Sequence, residues 1–187
     1  MSDRVTSEFT EDVLNAFDAN NPMVKKGVEA EKIYYNWAMS VYDKVENHSA
    51  DQEKQNQGID FTIYKNRWGP KGYTVDVKSQ YYGKYFSVDN TPNGWLRNPK
   101  KISDRIIQVD VKMKKCVDYQ RHKMIDYLDK VGLNPNNIDP QVFKDNNLGI
   151  IKIHPWDQKD DLPKDLLVFH QMNSTNLGDF LKKSKGE

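Results

Sequence analysis

A single cysteine, Cys116, in 187 residues excludes an internal disulfide and any thiolate zinc cluster, since each draws at least two sulfurs from the chain. Cys116 is then best placed as a small buried hydrophobe. No apolar run approaches the roughly 18 residues that a membrane helix needs, and Met1-Ser2-Asp3-Arg4 lacks the apolar stretch of a secretory leader. The expectation is a soluble, cytoplasmic protein without membrane contact, in a host cytoplasm if phage-encoded; the bias toward Lys, Asn, Asp and Tyr suits a phage or mobile element. Histidine is sparse: His48, His122, His154 and His170 show no His-x-x-x-His spacing, which gives a histidine metal site little support. A Gly-x-x-x-x-Gly-Lys loop and a Gly-x-Ser-x-Gly elbow are both absent, which argues against ATP hydrolysis and serine-hydrolase chemistry. No repeat or low-complexity tract divides the chain.

What is present suffices for one core. Hydrophobic residues make up 37%, with four Trp, ten Tyr and seven Phe, and the length fits one domain over 1–187. Charged residues at 29% and a mean hydropathy of -0.87 imply a strongly hydrated surface. The net charge of +1 conceals a division along the chain. Residues 1–31 carry seven acids against three bases, and residues 97–123 carry nine bases against three acids. Two readings of the basic stretch stand, a solvated lysine-rich surface and a face for a phosphate backbone.

Local patterning predicts a short helix over about 10–19 and a longer one from Pro22 to about Glu46, in which Tyr34, Ala38, Val41 and Val45 recur at helical spacing. Glu31, one turn before Tyr34, falls at the edge of that apolar face, whereas Glu29 falls on the water side. An acid there needs a cationic partner or an escape at the helix end. The period then becomes two. Ile59, Phe61 and Ile63 alternate with Asp60, Thr62 and Tyr64, and Tyr73, Val75 and Val77 alternate with Thr74, Asp76 and Lys78. The Gly and Pro content of Asn66–Gly72 predicts an antiparallel hairpin. Further strands are expected at Lys84–Asp89, Arg105–Val111, Leu148–His154 and Leu166–Gln171. Helices are expected from Val117 to Val131 and over Leu177–Lys183, with loops at 47–58, 65–72, 90–103 and 132–147. The order is that of a mixed α/β fold.

Residues two apart on a strand share a face, so Asp76 and Lys78 project together while Val75 and Val77 face the other way. The hairpin can bring Asp60 beside Asp76. Two carboxylates with the Val77 carbonyl supply oxygen ligands of the kind Mg²⁺ accepts while keeping its waters. Such an ion polarises a phosphoryl oxygen, lowers the pKa of bound water and orients attack. Lys78 would position or activate that water, or offset charge on the phosphate. A surface Asp76–Lys78 pair with Asp60 capping a turn is the plainer reading, but such pairs contribute only about 0–1 kcal/mol.

Gly58-Ile59-Asp60-Phe61, a turn, and Val75-Asp76-Val77-Lys78, preceded by a helix bearing Glu31, resemble the PD-(D/E)XK nuclease superfamily over roughly residues 27–80. The resemblance implies a restriction-endonuclease-like core, a central mixed β-sheet flanked by helices, and Mg²⁺- or Mn²⁺-dependent cleavage of nucleic acid. It makes Asp60 and Asp76 metal ligands, Lys78 the catalytic lysine and Glu31 the helical acid. Gln80, on the same strand face, occupies a position where members often carry a polar group. The chain departs from the pattern in having Ile59 where proline often precedes the first acid, and Asp76 where glutamate is at least as common.

DNA is the expected substrate, with an RNA-cleaving member, or a non-catalytic nucleic-acid-binding or protein-interaction module on the same fold, as alternatives; a homodimer is left open. Contacts to the backbone are expected from Arg67, Trp68 and Lys71 at the hairpin tip, from Trp95, Arg97, Lys100 and Lys101, and from Arg121 with Lys123. Lysine and arginine displace counterions and tryptophan stacks on bases; loop packing is the other role open to each tryptophan.

Overall fold

Helix α1 (Pro22–Val41) starts where Asn21 stays extended and its side chain accepts a 2.9 Å bond from the Met23 N–H, with Pro22 presetting φ in the first turn. The computed structural model describes residues 21–82, 84–154, 162–163 and 165–172. The helices expected at 10–19 and Leu177–Lys183 lie outside these.

Ala30, Tyr34 and Ala38 form the buried stripe of α1. The helix stops at Val41 instead of running to Glu46, because Tyr42 is extended and β1 (Lys44–Asn47) pairs antiparallel with β2 (Phe61–Tyr64). Val41 and Val45 are four apart, which imitates a helical stripe, but Val45 is buried through its pairing with Ile63. The segment between them, expected to be loop, contains α2 (Gln52–Asn56), capped by the Asp51 carboxylate on the Lys54 N–H at 3.0 Å.

The Asn66–Gly72 turn, which opens with a 3-10 turn at Asn66–Trp68, returns the chain as β3 (Tyr73–Lys78), antiparallel to β2 as the sequence predicts. Next come β4 (Phe86–Asp89), β5 (Arg105–Asp110), β6 (Lys115–Gln120) and α3 (Arg121–Lys130). The first four residues of the helix expected from Val117 are thus strand, and the helix itself begins at Arg121. After a 3-10 turn at Pro135–Asn137, α4 (Pro140–Asp145) interrupts the expected 132–147 loop, followed by β7 (Ile150–Ile153) and β8 (Val168–Gln171).

The result is an α/β fold with a central mixed sheet of order β1-β2-β3-β5-β6-β8, in which only β3 and β5 are parallel, and a separate antiparallel pair β4-β7. Two cores cover the central sheet. On one face Tyr34 and Ala38 of α1 meet Phe61, Val75, Val77, Ile107 and Val109. On the other, Ile106, Val117 and Tyr119 meet Phe86 and Val88 of β4, Ile153 of β7, and Met124 and Leu128 of α3. Truncating the fully buried Phe61 to alanine would cost about 3–5 kcal/mol. Cys116 is buried and unpaired in the first core. Among the described residues no helix is long and apolar enough to cross a membrane.

Candidate active site

The β2–β3 ladder ends at Phe61↔Val75, and the gap beyond it is where the acids gather. Asp60, just before β2, anchors its backbone by an N–H to Val75 carbonyl bond of 2.8 Å. Its carboxylate replaces the missing ladder partner: Oδ2 accepts from the Val77 N–H at 2.6 Å, and Oδ1 accepts from Gln55 Nε2 at 3.3 Å. Val77 turns its side chain to the first core and its N–H toward Asp60. Its carbonyl lies on that same edge, as both groups of one residue do in an extended strand.

On the other face of β3, Lys78 Nζ donates to Asp76 Oδ1 at 2.5 Å, with Asp76 only 1% exposed and the lysine side chain 28% exposed. Asp76 Oδ2 is buried with no hydrogen-bond partner. Beside it runs the left-handed turn at Gly58 (φ +68°), where a β-carbon would lie 3.4 Å from Asp76 Oδ2 and 2.8 Å from Lys101 Cδ. Half-buried Glu31, on α1, lies near enough to feel the charges of Asp60, Lys78 and Asp76, whereas Glu29 is exposed.

Three carboxyl groups around one ammonium leave an excess of negative charge in a poorly hydrated place. Burial, then the charge of Asp60, with a further contribution from Asp76, raises Glu31 to about 8 against the opposing pull of Lys78. Burial raises Asp76 to about 7; Lys78 works against this, while the charge of Asp60 and a hydrogen bond between the two carboxyl groups support it. Burial disfavours charge on Lys78, but Asp76, Asp60 and Glu31 outweigh it and raise the amine to about 12. Lys78 is therefore a cation at neutral pH, suited to meeting phosphate charge and not to accepting a proton.

No family model, curated protein or solved structure matches the chain. The site must be weighed on its own chemistry. Among the described residues no three His, Cys, Asp or Glu side chains are grouped so as to cage a metal ion. Mg²⁺ does not require such a cage, since it takes one or two carboxylates and keeps its waters. The unpartnered Asp76 oxygen and the adjoining Asp60 carboxylate fit that demand, with the Val77 carbonyl as a further oxygen donor, whereas Glu31, expected as a ligand, is not grouped with them as a third carboxylate.

The remaining expected residues divide. Gln80 lies beyond the end of β3 at Lys78, and its carbonyl accepts the Ser87 N–H at 3.1 Å. Arg67, Lys71 and Lys100 are exposed, and the Trp68 side chain lies outside the described residues. Trp95 is half-buried against the second core, with its Nε1 unpartnered. Arg97 is committed inward, through Nε to Asn90 Oδ1 at 2.6 Å and a terminal nitrogen to Asp129 at 2.6 Å. Lys101 reaches the Gln55 carbonyl at 3.2 Å across Gly58. Arg121 opens α3, donates to the Asn98 carbonyl at 2.9 Å and keeps a buried, unpartnered Nε. Burial lowers its pKa, and the negative charge of Asp76 opposes this. Lys123 pairs with Asp165 at 2.8 Å.

Gln55 escapes the sequence reading because 47–58 scans as a loop, although Asp51 ahead of Gln52-Glu53-Lys54 is a helix-start signal. The approach of Lys101 and Arg121 to Asp76 has no local signal at all.

Proposed function

We propose that the chain is a divalent-metal-dependent nuclease of the PD-(D/E)XK type, acting on DNA, with Asp60, Asp76, Lys78 and Glu31 as its reaction centre. The observation that carries this reading is the convergence of an acid from α1, an acid preceding β2 and an Asp-x-Lys pair on β3, leaving a buried Asp76 oxygen without a partner. A structural ion pair alone has no use for the two additional carboxyl groups, which destabilise one another. One difference from a restriction-endonuclease-like core is that the connection from β3 to parallel β5 carries β4 and turns, with no helix among its described residues.

Bound at Asp60 and Asp76, Mg²⁺ or Mn²⁺ would supply Lewis acidity toward a phosphoryl oxygen and a water of lowered pKa. The residues of the chain do the rest. The Val77 N–H and Gln55 fix the Asp60 carboxylate, so its free lone pairs point one way. Lys78, held charged, lies where phosphate charge grows. Glu31, protonated near neutrality without a cation, gives up its proton as positive charge arrives. Arg121 adds a cation that feels Asp76, and the arm of Lys101 passes beside the Gly58 turn.

The test is nicking of supercoiled plasmid with Mg²⁺ or Mn²⁺ by the wild type, Asp60→Ala, Asp76→Ala and Lys78→Ala. Metal-dependent nicking by the wild type, abolished by either aspartate change and slowed about 10²–10³-fold in Lys78→Ala, is the expected result. Nicking that persists in Asp76→Ala overturns the proposal.

The internal Asp76–Lys78 neutralisation favours a second reading, a non-catalytic nucleic-acid-binding module. Calorimetric titration with Mn²⁺ separates the two, since the enzyme binds the ion through Asp60 and Asp76 and the module does not. Plasmid and RNA panels distinguish DNA from RNA cleavage.

A further inference from the structure

The chain leaving β3 reads Tyr81-Tyr82-Gly83-Lys84-Tyr85-Phe86, and its fold sorts the rings by face. Tyr81 and Phe86 form an antiparallel bridge and are both buried in the second core. Alternation then turns Tyr82 and Tyr85 outward; the Tyr82 N–H donates to the Tyr85 carbonyl at 2.9 Å, and Tyr82 is 47% exposed. Their ring centroids lie 5.3 Å apart, and the His154 ring stands a further 5.3 Å from Tyr85. Two ammonium groups flank the strip: Lys26 from α1 at 4.7 Å over Tyr82, and Lys152 from β7 at 5.2 Å over Tyr85. Lys84 is exposed between them. Among the described residues no carboxylate pairs with Lys26, Lys84 or Lys152.

We propose that Tyr82, Tyr85 and His154 form a stacking platform for the unpaired bases of a single-stranded nucleic acid, with Lys26, Lys84 and Lys152 receiving its phosphates. This rests on the nuclease reading for its position and deepens it by naming the substrate form. A row of three rings offers π-faces at successive steps, and every base has a π-face to match. The contact of an exposed lysine with a ring is weaker than base stacking. A base can therefore take the ring face while the displaced ammonium moves to the phosphate.

A duplex keeps its bases stacked on one another and offers the platform nothing, so the surface selects single strands, flaps and frayed ends. It also lies close to the acids along the chain. Tyr82 is four residues beyond Lys78, which bounds their separation at about 14 Å, and Lys26 precedes Glu31 by five residues, about 7.5 Å along the helix axis. A strand stacked here leads its backbone toward Asp76.

The experiment measures binding of a fluorescein-labelled single-stranded DNA oligonucleotide in EDTA by anisotropy, with a blunt duplex and an abasic oligonucleotide of equal length as further probes. Tyr82→Ala and Tyr85→Ala are each expected to weaken single-strand binding roughly 5- to 100-fold, Tyr82→Phe to retain it, and neither alanine variant to alter binding of the duplex or the abasic strand. Lys26→Ala and Lys152→Ala should each reduce the salt dependence of single-strand affinity by about one phosphate contact. Unchanged single-strand affinity in both alanine variants overturns the platform, as does an equal loss on the abasic strand. Wild-type cleavage of supercoiled plasmid and of the same single strand with Mg²⁺ is scored separately. A platform that responds as expected in a protein that cleaves neither sinks the nuclease reading alone; cleavage that persists with indifferent tyrosines sinks the platform alone.

Discussion

Two aspartates, each buried in a central strand and each facing a basic side chain, lie in opposite circumstances. Asp118 of β6 receives Arg105 Nε at 2.8 Å on one oxygen and has His170 at 3.6 Å from the other, so both oxygens have basic neighbours. Asp76 of β3 has Lys78 on one oxygen, no donor on the other, and two further carboxyl groups near enough to feel. One site balances its charge within the fold; the other accumulates negative charge. Because removing one partner of a buried pair strands the other, balance signals a structural role. Because a cluster of acids costs stability unless a cation joins it, imbalance marks a candidate ligand site.

The largest expected divergence is in catalysis. Asp76→Asn should abolish plasmid nicking, while the folded fraction of Asp118→Asn should nick at the wild-type rate; equal losses in the two would erase the distinction. Stability should diverge in the reverse sense. Asp118→Ala strands Arg105 and is expected to cost about 3–5 kcal/mol, lowering Tm by roughly 6–20 °C in a chain of this size. Asp76→Asn, which removes a carboxylate whose charged form is disfavoured, should hold or raise the metal-free Tm at pH 8, as thermal denaturation would register.

A smaller effect concerns pH. Glu31 rises from 4.5 to about 8 and Asp76 from 3.8 to about 7 on folding. The native state thus binds more protons than the unfolded chain between those limits, and stability must fall as pH climbs through them. Metal-free Tm should decline from about pH 5 to pH 8, less steeply in Glu31→Gln, and saturating Mg²⁺ should oppose the decline. A Tm that rises over this window contradicts the site electrostatics. The smallest effect belongs to the exposed Lys44–Glu46 pair, where Lys44→Ala should leave Tm unchanged within error.

Legibility in the sequence followed the same division. The β2–β3 hairpin is readable because its apolar and polar residues alternate, and its acids are readable because they fill polar positions of that alternation at Asp60 and Asp76. β6 is not, since Cys116, Val117, Asp118 and Tyr119 are all buried. A strand covered on both faces loses its period of two, and Val117, Gln120 and Met124 then imitate a helix. β1 is lost because four residues with one buried valine carry too little pattern. Glu31 could be placed on the edge of α1, but its meeting with Asp60, and the approach of Lys101 and Arg121 to Asp76, depend on chain crossings that no local pattern encodes. The Tyr82–Tyr85 pair is spelled out in the sequence, yet the lysines that flank it come from α1 and β7.

The left-handed turn at Gly58 sets a packing distance. With hydrogen in place of a side chain there, the backbone ahead of β2 can press against both the unsatisfied Asp76 oxygen and the arm of Lys101. A methyl group at this position would strain the turn and push on both neighbours, so the smallest residue in the chain lets a loop close over the deepest acid.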